Sequence, residues 1–452
     1  MASVLQSAFR VLTPSMAASA SHDCLKGSRP LLVIANSSWY LAHYRHLLLQ
    51  RLQQDGRHVV ALSPVDSSTA QLSRFLIHIP WRIHRSTDSN PFSFGISFLR
   101  MLFLVRAIKP HLVHSHTLKA NLLAVVVTSI FGIPCVLSFA GMGRLSKAQG
   151  PSRLAFVLVL RSIAFFALRE RRSRWRWRLT PNRTAFIFQN PIDRSLFERA
   201  LPHLHSSRNH LIAGSGVPAS YLPDFAELAL PEPLPNQWWQ IPSELTSPAD
   251  AVCEFLFCGR LLRSKGIGTF LEIASLLESQ HFTVFGGVDP SSGDSLLTAE
   301  LTALQSQHDN VHFAGSQCDP LLHLQVPYPV LLVPSNYGEG LPRAVAEALA
   351  LGIPVISSRA ATCGIFDIST IYVAEGDAPG DYLHCFDQLL ADHATGRLVP
   401  RMQAGRALVQ RSLSEAGIVE ETLAVYQLLE NDRGNSYLLN KDDARLHSWL
   451  AQ

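Results

Sequence analysis

Val330-Leu331-Leu332-Val333-Pro334-Ser335-Asn336-Tyr337-Gly338-Glu339-Gly340-Leu341-Pro342-Arg343-Ala344-Val345-Ala346-Glu347-Ala348-Leu349-Ala350-Leu351-Gly352 reads as a strand, a turn and a helix in direct succession. Val330 to Val333 is an apolar run, and Gly338 and Gly340 supply the turn. Pro342 suits a first helical position, and the helix formers from Ala344 to Leu351 stop at Gly352. This order belongs to a parallel α/β sheet. It aims the free N–H groups of the helix start at the carboxyl edge of the sheet, where an anion such as a diphosphate is favoured. Glu347, deeper in the helix, carries a carboxylate that only accepts hydrogen bonds, so its natural partners beside phosphates are hydroxyl groups. A ligand with phosphates at one end and hydroxyls at the other is a nucleotide sugar.

The same order recurs upstream. Glu254 to Phe257 is strand-like, Ile267 to Glu278 helix-like, and Arg260 and Lys265 fall between them, where phosphate ligands are needed. Taken alone, the two cations read equally well as an exposed loop, and the Glu pair as a solvated helix face; the ordered succession carries the argument. Further back, strands are expected at Leu31 to Ala35, His58 to Leu62, Phe75 to Ile79, Leu112 to His114 and Cys135 to Phe139, with helices at Leu41 to Gln54, Phe94 to Ile108 and Leu122 to Phe131. A second alternating series runs from Glu254 to about Val399. The expected class is therefore α/β, with two doubly wound parallel-sheet domains. The division reads as 1–28 unpatterned, 29–215 first domain, 216–250 a Pro-, Ser- and acid-rich linker, 251–414 second domain, 415–431 a crossing helix and 432–452 a tail. Residues 1–28 hold no apolar stretch of signal-peptide length, so a disordered start and no export are expected.

Four segments resemble family 4 glycosyltransferases. Glu339 and Glu347, separated by seven residues in a Glu-Gly-Leu-Pro-Arg context, match the family's glutamate pair. Phe257-Cys258-Gly259-Arg260-Leu261-Leu262-Arg263-Ser264-Lys265-Gly266 is similar to its second signature. Phe188-Gln189-Asn190-Pro191 and Gly214-Ser215-Gly216-Val217 resemble the subfamily that builds bacterial surface glycans on undecaprenyl-diphosphate lipids, as do Trp39, Arg45 and the run Val113-His114-Ser115-His116-Thr117-Leu118-Lys119. The resemblance runs from about Arg29 to about Glu430. It implies a GT-B architecture, two Rossmann-like domains facing each other across an interdomain cleft, and retaining transfer without an essential metal. On the donor side it implies Gly259, Arg260, Lys265, Gly340, Leu341 and Glu347, with Glu339 and Glu347 as the catalytic pair: Glu339 on the donor sugar hydroxyls, Glu347 on the ribose. On the acceptor side the candidates are Lys119, Arg45, Arg144 and His116. His114 and His116 taken singly also read as structural histidines. Phe139-Ala140-Gly141-Met142-Gly143-Arg144 departs from the Thr-Gly-Leu-Gly or His-Gly-Leu-Gly usual in the subfamily, and Pro218 stands where relatives have Asp.

Length and charge bound the partners. The 452 residues suffice for two domains of about 200 residues. Seven cysteines form no CxxC pair and no metal spacing, and read as reduced thiols. Residues 1–200 hold 26 Lys or Arg against 7 Asp or Glu, a balance of +19, and the remainder carries −15. Such asymmetry implies an anionic partner for the first half. Within Arg153 to Arg178, Leu154 to Leu168 is almost wholly apolar and six arginines follow, interleaved with Trp175 and Trp177. The apolar run is shorter than the ~20 residues needed to span a bilayer, so an interfacial helix on an anionic membrane is the expectation. Phe92 to Lys109 offers a second apolar and basic patch, or an ordinary amphipathic core helix. Arginine and aromatic residues also stack on bases, but the adjoining apolar run argues against nucleic acid.

The sequence therefore implies transfer from a nucleotide sugar to a polyprenyl-diphosphate-linked glycan, with no cofactor, on the cytoplasmic face of the plasma membrane. Two other classes share some of these features: a non-hydrolysing UDP-sugar epimerase of the same shape and a catalytically silent membrane-binding scaffold.

Overall fold

Seven short segments of the first half and six of the second become strands, and each set forms one wholly parallel sheet. A computed structural model describes residues 29–81, 83, 91–142, 150–168, 183–201, 208–222, 252–290 and 292–431. The expectations for 1–28, for 432–452, for Arg144, for the arginine run 169–178 and for most of the linker concern residues outside these.

The first sheet consists of β1 (Leu31–Ile34), β2 (Val59–Ser63), β3 (Ile77–Pro80), β4 (Leu112–His116), β5 (Cys135–Phe139), β6 (Thr184–Phe188) and β7 (Asn209–Leu211), in the order β3-β2-β1-β4-β5-β6-β7. Its helices are α1 (Ser38–Tyr44), α2 (His46–Gln54), α3 (Thr69–Ser73), α4 (Pro91–Ile108), α5 (Leu118–Phe131), α6 (Gly150–Leu168) and α7 (Pro191–Ala200). The second sheet consists of β8 (Glu254–Cys258), β9 (His281–Phe285), β10 (Val311–Gly315), β11 (Pro329–Val333), β12 (Val355–Ser358) and β13 (Tyr372–Ala374), in the order β10-β9-β8-β11-β12-β13. With it go α8 (Ile267–Leu276), α9 (Thr298–Gln305), α10 (Arg343–Leu351), α11 (Pro379–Ala394), α12 (Leu398–Ser412) and α13 (Glu415–Asn431). Strand order reverses between β1 and β4 in one sheet and between β8 and β11 in the other. In open α/β sheets these are the points where ligand crevices form.

Central strands are buried on both faces, which is why they read as continuous rather than alternating apolar runs. Leu32, Ile34, Val113 and Leu137 pack on one side with Met101, Val105, Leu123, Val127, Leu160 and Ile163 from α4, α5 and α6. On the other side Leu31, Val33 and Ala61 belong to a core that continues through Leu413 and Tyr426 into Val345, Leu349 and Leu331 of the second domain. One apolar cluster thus joins both halves.

Two chain crossings fix the domains to each other. Val217 N–H donates to Leu413 O at 2.7 Å and Glu415 N–H to Val217 O at 2.9 Å. α13 then returns to the first domain, where Tyr426 Oη lies 2.6 Å from His114 Nδ1 and Glu430 pairs with Arg57 at 2.6 Å.

Three local expectations need correction. The single helix at Leu41 to Gln54 is two, broken at Arg45 (φ −127°, ψ 11°), whose buried side chain is held by Tyr40 and Gly214. The strand at Phe75 begins only at Ile77, where pairing with β2 starts. Pro342 is the cap of α10 rather than its first residue, its ψ of 99° lying outside the helical region. Among the described residues no helix is long and apolar enough to cross a membrane.

Candidate functional site

β8 and β11 lie side by side in the second sheet, so the loops leaving their carboxyl ends meet. Gly266 (φ 81°) makes that meeting close: a Cβ there would lie 2.0 Å from the Pro334 carbonyl oxygen. Asn336 N–H donates to Ser264 O at 2.8 Å, which locks the two loops together. Lys265 Nζ consequently reaches Glu339 Oε1 at 3.0 Å, and Ser335 Oγ donates to the same oxygen at 3.2 Å. Both charged side chains are largely buried. The cation expected at the donor diphosphate and the carboxylate expected at the adjoining sugar are thus direct neighbours.

Arg260 stands at the rim, half-exposed, and pairs with Asp289 at 2.7 Å. Gly259 precedes it with φ 154°, and its carbonyl leaves no room for a side chain at Gly286. α10 begins at Arg343 with no acidic residue in its first turn, so its positive end is not neutralised locally. Glu347, one turn in, is 8% exposed and accepts from Arg343 Nε at 2.5 Å. Burial pushes its carboxyl up to about 7, against the pull of Arg343. Arg343 lies over the ring of Tyr44 in the first domain, 5.1 Å from its centroid. Neither Arg343 nor Asp289 stood out in the sequence; an i,i+4 spacing to Glu347 is the one signal that points to Arg343.

Gly340 and Leu341 face the first domain. The Asn190 amide donates to Glu339 O at 3.0 Å and Gly340 O at 2.8 Å, and Gly141 packs backbone to backbone on Gly340. Gly214 (φ 72°) lies against Leu341, where a Cβ would come within 2.7 Å of its side chain.

The acceptor-side candidates divide. Lys119 stands in the first turn of α5, part-buried, with burial lowering its pKa. His116, at the end of β4 beside the strand-order reversal, is fully buried with no hydrogen-bond partner for either ring nitrogen. Its ring centroid lies 4.1 Å from that of His114, and burial holds both imidazoles well below their ordinary pKa, hence neutral. His114 is engaged by Tyr426 and by Ser138, at 2.7 Å, which gives it a structural place. Arg45 is turned inward: it is 5% exposed and donates to Tyr40 Oη at 3.1 Å and Gly214 O at 3.3 Å. Its guanidinium ties the α1–α2 break to the Gly214 loop rather than facing open space. Trp39 remains 41% exposed and stacks on His43. Among the described residues no three His, Cys, Asp or Glu side chains gather as a metal site.

Residues 253–392 match the family model of the glycosyl transferases group 1. The match falls within the second domain. It contains β8 to β13 and with them Arg260, Lys265, Glu339 and Glu347. Whole-chain likeness extends to solved structures. A sucrose-phosphate synthase from Thermosynechococcus elongatus superposes with a TM-score of 0.66 at 17% identity, over 90% of this chain and 100% of that one. Anabaena HepE in complex with UDP-glucose gives 0.62 at 15%, over 87% and 99%. WaaG, a glycosyltransferase involved in lipopolysaccharide biosynthesis, gives 0.57 at 14%, over 90% and 100%. At such identities these likenesses establish the fold: the two parallel sheets form the GT-B architecture of glycosyltransferase structures. No curated protein matches the sequence.

Proposed function

We propose that the chain is a retaining glycosyltransferase of family 4 that moves a hexosyl group from a nucleotide sugar, preferentially a UDP-sugar, to a lipid-linked or polysaccharide acceptor in cell-surface glycan synthesis. The observation that carries this reading is the convergence of Lys265, Glu339 and the start of α10 at the carboxyl edge of the second sheet, opposite loops of the first domain. HepE's complex with UDP-glucose supports the choice of donor class.

In this reading Lys265, Arg260 and the N-terminal end of α10 hold the diphosphate and stabilise the charge it gains as its bond to the anomeric carbon breaks. Glu347 accepts from the ribose hydroxyls. Glu339 accepts from the sugar hydroxyls and stabilises positive charge at the anomeric carbon as the acceptor oxygen bonds to it and gives up its proton to the departing diphosphate. Backbone groups of Gly340 and Leu341 position the donor. Two cations and a helix dipole supply the field that a divalent metal provides elsewhere, so no metal is required and chelation leaves the rate unchanged. Closure of two domains excludes water from the activated sugar. Lys119, Arg144 and His116 belong to the acceptor side, and the first domain rests on the inner face of the plasma membrane.

The test is release of nucleoside diphosphate from a panel of UDP-, GDP- and ADP-sugars, with and without a short-chain polyprenyl-diphosphate sugar. Release that requires the acceptor and falls at least ~10²-fold in Glu347→Ala and Glu339→Gln is expected. Conversion of a UDP-sugar with no acceptor would make the chain an epimerase, and silence across the panel with vesicle binding intact would make it a scaffold.

A further inference from the structure

Asn190 and Asp193 occupy an unusual place: both belong to the first domain, yet one of them bonds directly to the donor loop of the second. Asn190 is 1% exposed and Asp193 4%. The Asn190 side-chain oxygen Oδ1 caps α7 by accepting from Asp193 N–H at 2.7 Å. Its amide nitrogen lies 3.0 Å from Asp193 Oδ2, 3.0 Å from Glu339 O and 2.8 Å from Gly340 O. The same Asp193 oxygen accepts from Met142 N–H at 3.2 Å, so it also holds the loop that follows β5. That loop has no slack: a Cβ on Gly141 would lie 2.5 Å from Gly340 N, and one on Gly340 would lie 2.8 Å from Gly141 N.

We propose that Asp193 and Asn190 form an interdomain latch, a pair of positioning residues that fixes the Glu339–Gly340 backbone at the distance from the first domain at which Glu339 can meet a donor sugar. Three loops converge on one carboxylate and one amide. The carboxylate orients the amide and anchors Gly141-Met142; the amide then grips two successive carbonyls, those of Glu339 and Gly340, on either side of Gly340 Cα. Lys265 sets the Glu339 side chain, whereas the latch sets its backbone. The nucleotide-holding groups Arg260, Lys265 and Glu347 lie outside the latch, in the second domain. Loss of the latch therefore separates binding from turnover, because misplacement by about 1 Å is worth on the order of 10² in rate while leaving the nucleotide contacts in place.

The inference rests on the transfer reading for its activity arm but not for its exchange arm. Asn190→Ser keeps an oxygen to cap α7 and removes the amide; Asp193→Asn keeps an oxygen that accepts from Asn190 and Met142; Asp193→Ala removes it. In the full-length chain, Asn190→Ser and Asp193→Ala are expected to exchange amide hydrogens of segment 338–341 about tenfold faster than the parent. Their kcat falls ~10–100-fold, with UDP affinity by titration within about threefold. Asp193→Asn restores both exchange and kcat to within about threefold of the parent. Unchanged exchange in Asn190→Ser overturns the latch, as does a kcat loss matched by an equal loss of UDP affinity or shared in full by Asp193→Asn. A parent chain that transfers nothing from the panel defeats the transfer reading alone, and exchange still decides the latch.

Discussion

Glu347 is the residue at which charge, burial and ligand chemistry meet. Its folded pKa of about 7 lies above the ordinary 4.5 because burial disfavours the carboxylate more than Arg343 favours it. A carboxyl whose pKa is raised by folding binds more protons in the folded than in the unfolded state between those two values. Its contribution to stability is therefore fully present below about pH 4.5 and is lost as pH rises through about 7. Glu347→Gln removes that titration. The stability of the parent relative to Glu347→Gln is expected to fall by on the order of 3 kcal/mol between pH 4.5 and pH 7.5. Denaturant unfolding of both proteins across that range checks it, and a flat difference would mean that Arg343 keeps the group ionised throughout. Glu339, Glu347, Arg260 and Lys265 were legible as candidates because they stand at strand-to-helix junctions and in motifs that resemble a known family, and of the four the structure brings Lys265 and Glu339 into contact, at 3.0 Å. Arg45 was legible only as a cation. Its consumption by Gly214 O is a contact 169 residues away in the chain, which no local pattern encodes. Asp193 was invisible for a similar reason: what gives it a role is the approach of Met142, 51 residues away, and the bond from its neighbour Asn190 to Glu339 O, 149 residues away.

At the scale of elements, periodicity located the strands and helices, and tertiary contacts moved their ends. β4 continues to His116 rather than stopping at His114, since Ser115 and His116 still pair with Leu137 and Ser138 of β5. The break between α1 and α2 had no proline or glycine to announce it. Glycines at loop crossings mattered through their contacts as much as through their dihedral angles, and one pair separates the two effects. Gly216 (φ 79°) lies where a Cβ would meet Glu415 Cα at 2.4 Å, beside the bridge from Val217 to Ser414. Gly56 (φ 72°) has the same conformation with open space around it. Gly56→Ala is expected to cost about 1 kcal/mol from its left-handed backbone alone. Gly216→Ala adds the forced separation of the two crossing segments, so a further ~1–3 kcal/mol is expected. Equal losses in the two variants, read from denaturant midpoints, would show that the crossing yields without resistance.

On the scale of the whole molecule, the first domain presents an exposed apolar face that its own core does not need. α5 packs between α4 and α6. Outward from this trio point Leu99 and Phe103 on α4 and Leu154, Leu158 and Phe165 on α6, all more than half exposed. The three helices contain no Asp or Glu, whereas Arg100, Arg106, Lys119, Arg153 and Arg161 lie along them. An apolar surface with cations and no anions complements a bilayer bearing anionic headgroups better than a second copy of itself, which would bring cation against cation. It is also the domain to which a lipid-linked acceptor is assigned in the proposed function. Leu154→Glu and Leu158→Glu place a carboxylate in solvent in the free protein, so their unfolding midpoints should match the parent within about 0.5 kcal/mol. Against vesicles with about one-third anionic lipid, each should lose at least ~10-fold in partition, since a buried Leu is worth about 1.5–3 kcal/mol and the new charge is repelled. Raising salt from ~0.1 to ~0.5 M should weaken the parent's binding through screening without abolishing it, because the apolar contribution is insensitive to ionic strength. Sedimentation that is unchanged in both variants but lost with salt would instead place all of the attraction on cations and none on this face.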